Sequence, residues 1–165
     1  MPAVGEFDPE AAIRLLGQHE VRYVLIGGLA AVTHGAPIVT QDIDLCYARD
    51  QKNLEHLAQA LLSVHAELRA EPRLPFRLDA KTLGSGDAFT FTTDIGSIDI
   101  LAVPAGTAGY DDLARSAETF NLFEHRVLVA NVDDLIRMKR SAGRPKDLLA
   151  VEELGALRSE IDRGA

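Results

Sequence analysis

Apolar and polar residues alternate along the chain with two periods, one typical of strands and the other typical of helices. Residues 21–26 (VRYVLI) and 42–47 (DIDLCY) are short and rich in β-branched and aromatic residues, so they predict two strands. Residues 50–66 carry leucines at helical spacing behind Asp50, a good N-cap, and predict a long amphipathic helix. The two periods together indicate a protein that contains both sheet and helix.

The rest of the chain predicts further elements of both kinds. Apolar runs on either side of Asp94-Ile95-Gly96 predict a β-hairpin. Asp8 followed by Pro9 predicts the start of a first helix. The further strands are predicted at residues 73–78, 89–93, 97–103, 119–123 and 126–129. The further helices are predicted at residues 8–17, 29–34, 110–117, 131–144 and 146–161.

The order of these predicted elements defines the expected fold. Helix, strand, short helix, strand, long helix, several strands and two final helices predict an α+β domain with a mixed central sheet flanked by helices. The length of 165 residues fits a single domain. We expect its core at about residues 8–130 and a C-terminal helical part at about residues 131–162.

Composition limits the classes of protein to which the chain can belong. Hydrophobic residues make up 47% and charged residues 25%, which is typical of a globular protein rather than a disordered one. The one cysteine, Cys46, excludes a disulfide or a cysteine-based zinc site within the chain. The N-terminus lacks the pattern of a signal peptide, and no apolar run approaches the roughly 20 residues of a membrane helix. We therefore expect a soluble, cytoplasmic protein that does not contact a membrane.

The net charge of −8 argues against a protein that binds nucleic acid over its whole surface. Residues 137–146 are an exception, because they contain five basic residues and no acidic residue. These five are Arg137, Lys139, Arg140, Arg144 and Lys146. The segment is either a solvated helix face with its loop or a site for an anionic ligand.

Asp42 and Asp44 are two residues apart in a predicted strand and therefore point to the same side of the sheet. Two adjacent carboxylates repel each other unless solvent or a cation compensates their charge. Oxygen ligands of this kind favour a hard cation such as Mg²⁺ or Mn²⁺.

A third aspartate, Asp99, lies between Ile98 and Ile100 in another predicted strand. An aspartate is disfavoured in the middle of a strand. Asp99 either faces water on an exposed sheet surface or joins Asp42 and Asp44 in a cluster of three carboxylates on neighbouring strands.

Gly27 and Gly28 follow the first predicted strand and precede a short helix. Glycines let the backbone approach a ligand closely, and the N–H groups at a helix start favour an anion such as phosphate. The segment is neither a Walker loop nor a Rossmann fingerprint, because the residues that define those motifs are absent. A Gly-Gly pair by itself is also compatible with a simple tight turn.

Taken together, these motifs resemble those of a known superfamily. Residues 25–45 (LIGGLAAVTHGAPIVTQDIDL) resemble the signature of the nucleotidyltransferases of the DNA polymerase β superfamily. That signature is Gly, then Gly or Ser, a short spacer and Asp-apolar-Asp/Glu-apolar. Residues 97–101 (SIDIL) resemble the strand that supplies the third carboxylate, so the resemblance covers residues 21–103. Gly28 stands where many active relatives have Ser.

A finer resemblance lies near the C-terminus. Residues 134–149 (DLIRMKRSAGRPKDLL) resemble the lysine and Arg-x-Lys-Asp segment of the AbiEii-type family. That family includes nucleotidyltransferase toxins of bacterial toxin–antitoxin pairs and many small relatives. The resemblance implies that Lys139, Arg144, Lys146 and Asp147 bind nucleotide or support catalysis.

The two resemblances imply an enzyme that moves a nucleoside monophosphate from a nucleoside triphosphate to an acceptor and releases pyrophosphate. They imply Mg²⁺ or Mn²⁺ on Asp42, Asp44 and Asp99, with Asp99 helping to deprotonate the acceptor, and a triphosphate positioned by Gly27 and Gly28. The acceptor is left open between RNA, a protein hydroxyl and a small antibiotic. A cognate antitoxin is a further expected partner.

Two other functions remain compatible with the sequence. The first is a non-catalytic module of the same fold that binds nucleotide or acts as a regulatory partner. The second is a structural domain whose carboxylates face solvent. Retention of all three aspartates favours the enzyme, because degenerate sites tend to lose their carboxylates.

Overall fold

A seven-stranded mixed sheet forms the centre of the computed structural model, which describes residues 5–69 and 75–164. The strands are β1 (Tyr23–Ile26), β2 (Asp42–Tyr47), β3 (Glu67–Leu68), β4 (Ala88–Thr93), β5 (Gly96–Leu101), β6 (Glu118–Leu122) and β7 (His125–Val129). They lie in the order β3-β4-β5-β2-β1-β7-β6. The central strand β2 runs antiparallel to β1 and parallel to β5.

Seven helices accompany the sheet in the described part of the chain. They are α1 (Pro9–Gln18), α2 (Gly27–Thr33), α3 (Gln51–Ser63), α4 (Ala80–Ser85), α5 (Tyr110–Ser116), α6 (Val132–Ala142) and α7 (Pro145–Gly164). This architecture confirms the predicted α+β fold with a mixed central sheet and C-terminal helices. No described helix combines the length and the apolar character that crossing a membrane requires.

Local sequence explains where the main helices begin. Asp8, Asp50 and Asn131 each stand before a helix and accept a hydrogen bond from a backbone N–H of its first turn. Helix α6 ends at Ala142 and is capped by Gly143, whose φ of +67° is the left-handed conformation common at a helix C-terminus. Pro145 then begins α7, because proline fits the first turn of a helix.

Some predicted boundaries are wrong. Helix α3 ends at Ser63 rather than near residue 66, because the chain turns at His65 with a φ of +53° and enters β3. The predicted strand at 73–78 lies partly outside the described residues, and its described part, residues 75–78, is not in a strand. Helix α2 begins at Gly27 and not at residue 29.

Burial of one face of β2 in the core leaves its polar side chains on the opposite face of the sheet. Ile43 and Leu45 are completely buried in the hydrophobic core. Because successive side chains of a strand point to opposite faces, Asp42 and Asp44 lie on the other face. The strand is thus anchored by its apolar face, while the other face carries the two carboxylates.

Candidate active site

Three carboxylates meet at the centre of the sheet. The parallel pairing of β2 with β5 places Asp44 opposite Asp99 and Asp42 opposite Ser97. Paired residues of adjacent strands share a face, so the three aspartates point to the same side. Each offers a carboxylate oxygen that lies within 4.8 Å of the oxygens offered by the other two. The structure therefore brings together the three aspartates singled out in the sequence.

Burial and neighbouring negative charge raise the pKa of Asp42 and of Asp44. Burial, followed by the charges of Asp42 and Asp99, raises the pKa of Asp44 to about 8. Burial and the neighbouring Asp99 also raise the pKa of Asp42. Lys139 lowers the pKa of both groups, but more weakly than burial raises it. The cluster therefore concentrates more negative charge than the adjacent side chains compensate.

The chemistry of these groups fits a divalent cation. Oδ1 of Asp99 is buried and has no hydrogen-bond partner among the described residues. A buried acceptor without a donor requires another partner, and a cation between three carboxylates supplies one. The oxygen-only donor set fits a hard ion such as Mg²⁺ or Mn²⁺ and does not distinguish between them.

Gly27 packs directly against this cluster, and Gly28 packs against the neighbouring Thr40. Gly27 has a φ of +70°, and a Cβ on it would lie 2.1 Å from Oδ2 of Asp44. A Cβ on Gly28 would lie 2.9 Å from Oγ1 of Thr40. Any larger residue at position 27 would displace the Asp44 carboxylate, so glycine is required there for a steric reason as well as a conformational one.

Two residues near the cluster were not identified from the sequence. Thr40 donates a hydrogen bond to the backbone oxygen of Asp42 at 3.1 Å and lies 3.4 Å from its Oδ1. Arg69 donates from Nη2 to Oγ of Ser97 at 2.5 Å, and its charge lowers the pKa of Asp42. Thr40 could have been found by its position two residues before Asp42, whereas Arg69 follows a two-residue strand that has no sequence pattern.

The predicted C-terminal site residues have different environments. Asp147 is 1% exposed and accepts hydrogen bonds from Nε of Arg144 at 2.5 Å and from its Nη2 at 3.2 Å. Nζ of Lys139 lies 3.6 Å from Oδ1 of the same carboxylate. The structure thus brings Lys139, Arg144 and Asp147 together, and the carboxylate of Asp147 contacts both basic side chains. Lys146 is exposed and lines neither of the clefts described below.

The basic segment 137–146 does not form one continuous cationic surface. Arg137 forms ion pairs with Asp134, at 3.1 Å, and with Asp112, at 3.3 Å. Its charge is therefore compensated away from the carboxylate cluster. Of the basic residues in this described segment, only Lys139 and Arg144 line a cleft together with Asp44 and Asp99.

Two clefts meet beside the cluster. The first, which we call the carboxylate cleft, has a volume of about 370 Å³, and the residues that line it include Asp44, Asp99, Phe89, Lys139 and Arg144. The second, the α2–α7 cleft, has a volume of about 460 Å³ and lies between these two helices. Gly27, Leu135 and Lys139 line both clefts. The arrangement therefore offers adjoining spaces for two ligands next to the carboxylates.

Comparisons with known proteins support the fold. No family model matches the chain, and no curated protein matches it. Among solved structures, the lincomycin-bound lincosamide antibiotic adenylyltransferase LnuA has a TM-score of 0.60 and 14% identity, covering 93% of this chain and 99% of its own. A proposed nucleotidyltransferase from Thermotoga maritima has a TM-score of 0.49 and 14% identity, covering 96% of this chain and 97% of its own. On the likeness to LnuA and the sheet described above, this chain has the nucleotidyltransferase fold.

Proposed function

We propose that the protein is a metal-dependent nucleotidyltransferase that moves a nucleoside monophosphate from a nucleoside triphosphate to an acceptor hydroxyl. The observation that carries this proposal is the cluster of Asp42, Asp44 and Asp99, whose oxygens lie within 4.8 Å of one another. A structural domain with solvated carboxylates does not account for the buried, unpartnered Oδ1 of Asp99.

The three aspartates would hold Mg²⁺ or Mn²⁺. When bound, the metal supplies Lewis-acid chemistry that lowers the pKa of the acceptor hydroxyl and offsets charge on the phosphates. Asp99 would accept the proton of the acceptor hydroxyl, which is the role that the superfamily resemblance implies for the third carboxylate. The hydroxyl oxygen forms a bond to the α-phosphorus, the bond to the bridging oxygen of the β-phosphate breaks, and pyrophosphate leaves.

The other side chains position the triphosphate. Lys139 and Arg144 line the carboxylate cleft and neutralise phosphate charge, while Asp147 holds both chains in place. Gly27 lines the carboxylate cleft as well, and its backbone N–H, with that of the adjacent Gly28, would supply neutral donors to the triphosphate. We assign Asp147 to positioning rather than to nucleotide contact, because its buried carboxylate is already engaged by two cations.

The acceptor is the least determined part of the proposal. LnuA is described as a lincosamide antibiotic adenylyltransferase and its structure contains lincomycin, which supports a small-molecule acceptor. The AbiEii-type resemblance of the segment around Lys139 and Arg144 instead favours RNA or protein, with a role as the toxin of a toxin–antitoxin pair and a cognate antitoxin as partner. The experiment therefore tests RNA, protein and small molecules as acceptors.

The test is transfer of radioactive label from each α-labelled nucleoside triphosphate. The protein is incubated with Mg²⁺ or Mn²⁺ and with total RNA, a protein lysate, a panel of hydroxylated small molecules or no acceptor. An Asp42→Asn/Asp44→Asn variant removes two carboxylates, and Asp111→Asn, an exposed aspartate on α5, serves as the matched control. We expect transfer by the wild type and the control but not by the double variant.

The alternative outcome separates the two remaining functions. Nucleotide binding that depends on Asp42 and Asp44, without transfer to any acceptor, would assign the chain to the non-catalytic binding modules. Absence of both binding and transfer would overturn the proposed function and leave only the fold.

A further inference from the structure

The α2–α7 cleft has a predominantly apolar lining. Ala31 on α2 and Leu154 and Leu157 on α7 are buried residues that face it, and Pro37 and Ile38 form its outer edge. The large apolar side chain of Ile38 is 39% exposed. A concave, mostly apolar space of about 460 Å³ next to a reactive centre is typical of a small-molecule site.

Two carboxylates interrupt this apolar lining on the α7 side. Glu153 and Glu160 are seven residues apart and therefore lie on the same face of the helix. Both are exposed, and neither forms an ion pair with another residue of the described ranges. The nearby Arg158 is already paired with Asp133 at 2.8 Å, so it does not compensate them. The α7 side of the cleft is thus negatively charged.

The chemistry of the lining determines which ligand fits. Among the described residues that line the α2–α7 cleft there is no aromatic, hydroxyl or amide side chain. Nucleobase recognition normally uses stacking or such hydrogen-bonding groups, and two glutamates repel a triphosphate. The carboxylate cleft, in contrast, contains Phe89, Lys139 and Arg144 and suits a nucleotide. The α2–α7 cleft is therefore left for the second ligand.

We propose that the α2–α7 cleft binds the acceptor, a small amphipathic molecule that carries a protonated amine and a hydroxyl group. Glu153 and Glu160 stand about 10 Å apart along α7, so the amine pairs with one of them while the other adds to the negative potential. The apolar body lies against Leu154, Leu157 and Ile38, and the hydroxyl lies at the end of the cleft that Gly27 and Lys139 share with the carboxylate cleft. The assignment of this ligand as the acceptor rests on the proposed function. The bond changes are the same, and the hydroxyl proton goes to the aspartate cluster. The binding of the ligand in the cleft does not depend on the proposed function.

Binding can be tested without metal or nucleotide. Dansylcadaverine combines an apolar fluorescent ring with a primary ammonium group and has no hydroxyl, so it cannot act as an acceptor. Anilinonaphthalene sulfonate is a fluorescent apolar probe of opposite charge. We expect saturable binding of dansylcadaverine, weakened by added salt, and at least about tenfold weaker binding of the anionic probe.

Glutamine variants locate the site. Glu153→Gln/Glu160→Gln is expected to weaken dansylcadaverine binding by about tenfold. Glu152→Gln, which changes an exposed glutamate on α7 outside this cleft, is expected to leave binding unchanged. Equal binding of both probes, no saturable binding, or unchanged affinity in the double variant would each overturn the proposal. So would loss of binding in Asp42→Asn/Asp44→Asn alone, because the ammonium group would then lie at the aspartate cluster.

A second measurement separates this inference from the proposed function. The label-transfer assay is repeated with a panel of amphipathic amino alcohols in the wild type and in Glu153→Gln/Glu160→Gln. Transfer that falls in the double variant through a higher KM for the amino alcohol would support the acceptor assignment. Probe binding without transfer to any acceptor would retain the cation-binding cleft and contradict the proposed function. Transfer only to RNA or protein would overturn the acceptor assignment.

Discussion

Gly27 and Asp44 are in direct steric contact, since a Cβ added to Gly27 would lie 2.1 Å from Oδ2 of Asp44. The two residues belong to different elements that meet where β1 ends, because Ile26, just before Gly27, pairs with Asp44 in the antiparallel register. The position of one proposed metal ligand is therefore set by the absence of a side chain on its neighbour.

Gly27→Ala should separate the two residues and displace the carboxylate of Asp44. We expect the rate of nucleotidyl transfer to fall by about 100-fold, because a displacement of about 1 Å at a reactive centre has an effect of that size. The positive φ of +70° should reduce the free energy of unfolding by about 1–2 kcal/mol. Label transfer and urea unfolding measure the two effects.

Gly155→Ala is the matched control for this substitution. Gly155 lies within α7, and a Cβ there meets no atom within 4 Å. We expect unchanged transfer and a gain in the free energy of unfolding of up to about 1 kcal/mol, because alanine favours a helix over glycine. Full activity of Gly27→Ala beside this control would show that Asp44 is not needed at its present position.

The raised pKa of Asp44 predicts that metal binding depends on pH. With a pKa of about 8, this carboxyl is mostly protonated at neutral pH in the metal-free protein, and a cation must displace the proton. The affinity for Mg²⁺ should therefore rise with pH up to about 8 and then level off. Calorimetric titration in two buffers of different ionisation enthalpy measures the proton release. An affinity independent of pH between roughly 6 and 8 would contradict a metal site on Asp44.

Asp44 also predicts the pH dependence of the stability of the metal-free protein. Its pKa is higher in the folded than in the unfolded chain. At a pH between these two pKa values, folding is therefore accompanied by the uptake of a proton. The contribution of this group to the free energy of unfolding is greatest below the ordinary carboxyl pKa and is lost as the pH rises towards about 8. Added Mg²⁺ should reverse the loss. Urea unfolding at several pH values, with Asp44→Asn as the comparison, measures the effect.

The contribution of Asp147 to the free energy of unfolding is expected to change with pH in the opposite direction. The hydrogen bond from Arg144, followed by the charges of Arg144 and Lys139, lowers the pKa of this carboxyl. A lowered folded pKa stabilises the protein above the ordinary carboxyl pKa, and the contribution disappears as the pH falls through the folded value. Asp147→Asn should therefore lower the melting temperature by roughly 5 °C at neutral pH and less in acid. An equal difference at neutral pH and in acid would show that the ion pairs do not stabilise the fold.

Lys139 and Lys146 provide a matched pair of lysines, one inside the proposed nucleotide site and one outside it. Lys139 lines both clefts and is half-buried, whereas Lys146 is exposed and lines neither cleft. We expect Lys139→Met to weaken nucleotide binding by at least about tenfold, as for loss of a hydrogen bond to a charged group. Lys146→Met should have no effect on nucleotide binding. If Lys146→Met is the more damaging substitution, the C-terminal helix binds nucleotide in another way than proposed.

Several local features could be predicted because short-range physics decides them. The alternation in 42–47 predicts both β2 and the common side of Asp42 and Asp44, since side chains alternate in any strand. Asp50 and Asn131 were recognisable as helix starts for a similar reason, because a capping side chain bonds within its own first turn.

Elements without a local signal were missed. Strand β3 has two residues, and it exists because Glu67 and Leu68 pair with β4 rather than because of their own pattern. Helix α4 is six residues long and carries one buried leucine, Leu83, so no helical period could be detected. In both cases contacts with distant parts of the chain determine the conformation.

The sequence by itself determined the residue types of the candidate site and the side of each strand on which they lie. Tertiary structure decided that Asp99 pairs with Asp44, because the register of two parallel strands depends on contacts between residues far apart in the chain. It also decided that Asp147 is buried beside Lys139 and Arg144 while Lys146 is exposed. Neighbouring residues of one motif have different environments because the packing of α6 against α7 buries one side of the helix and leaves the other in solvent.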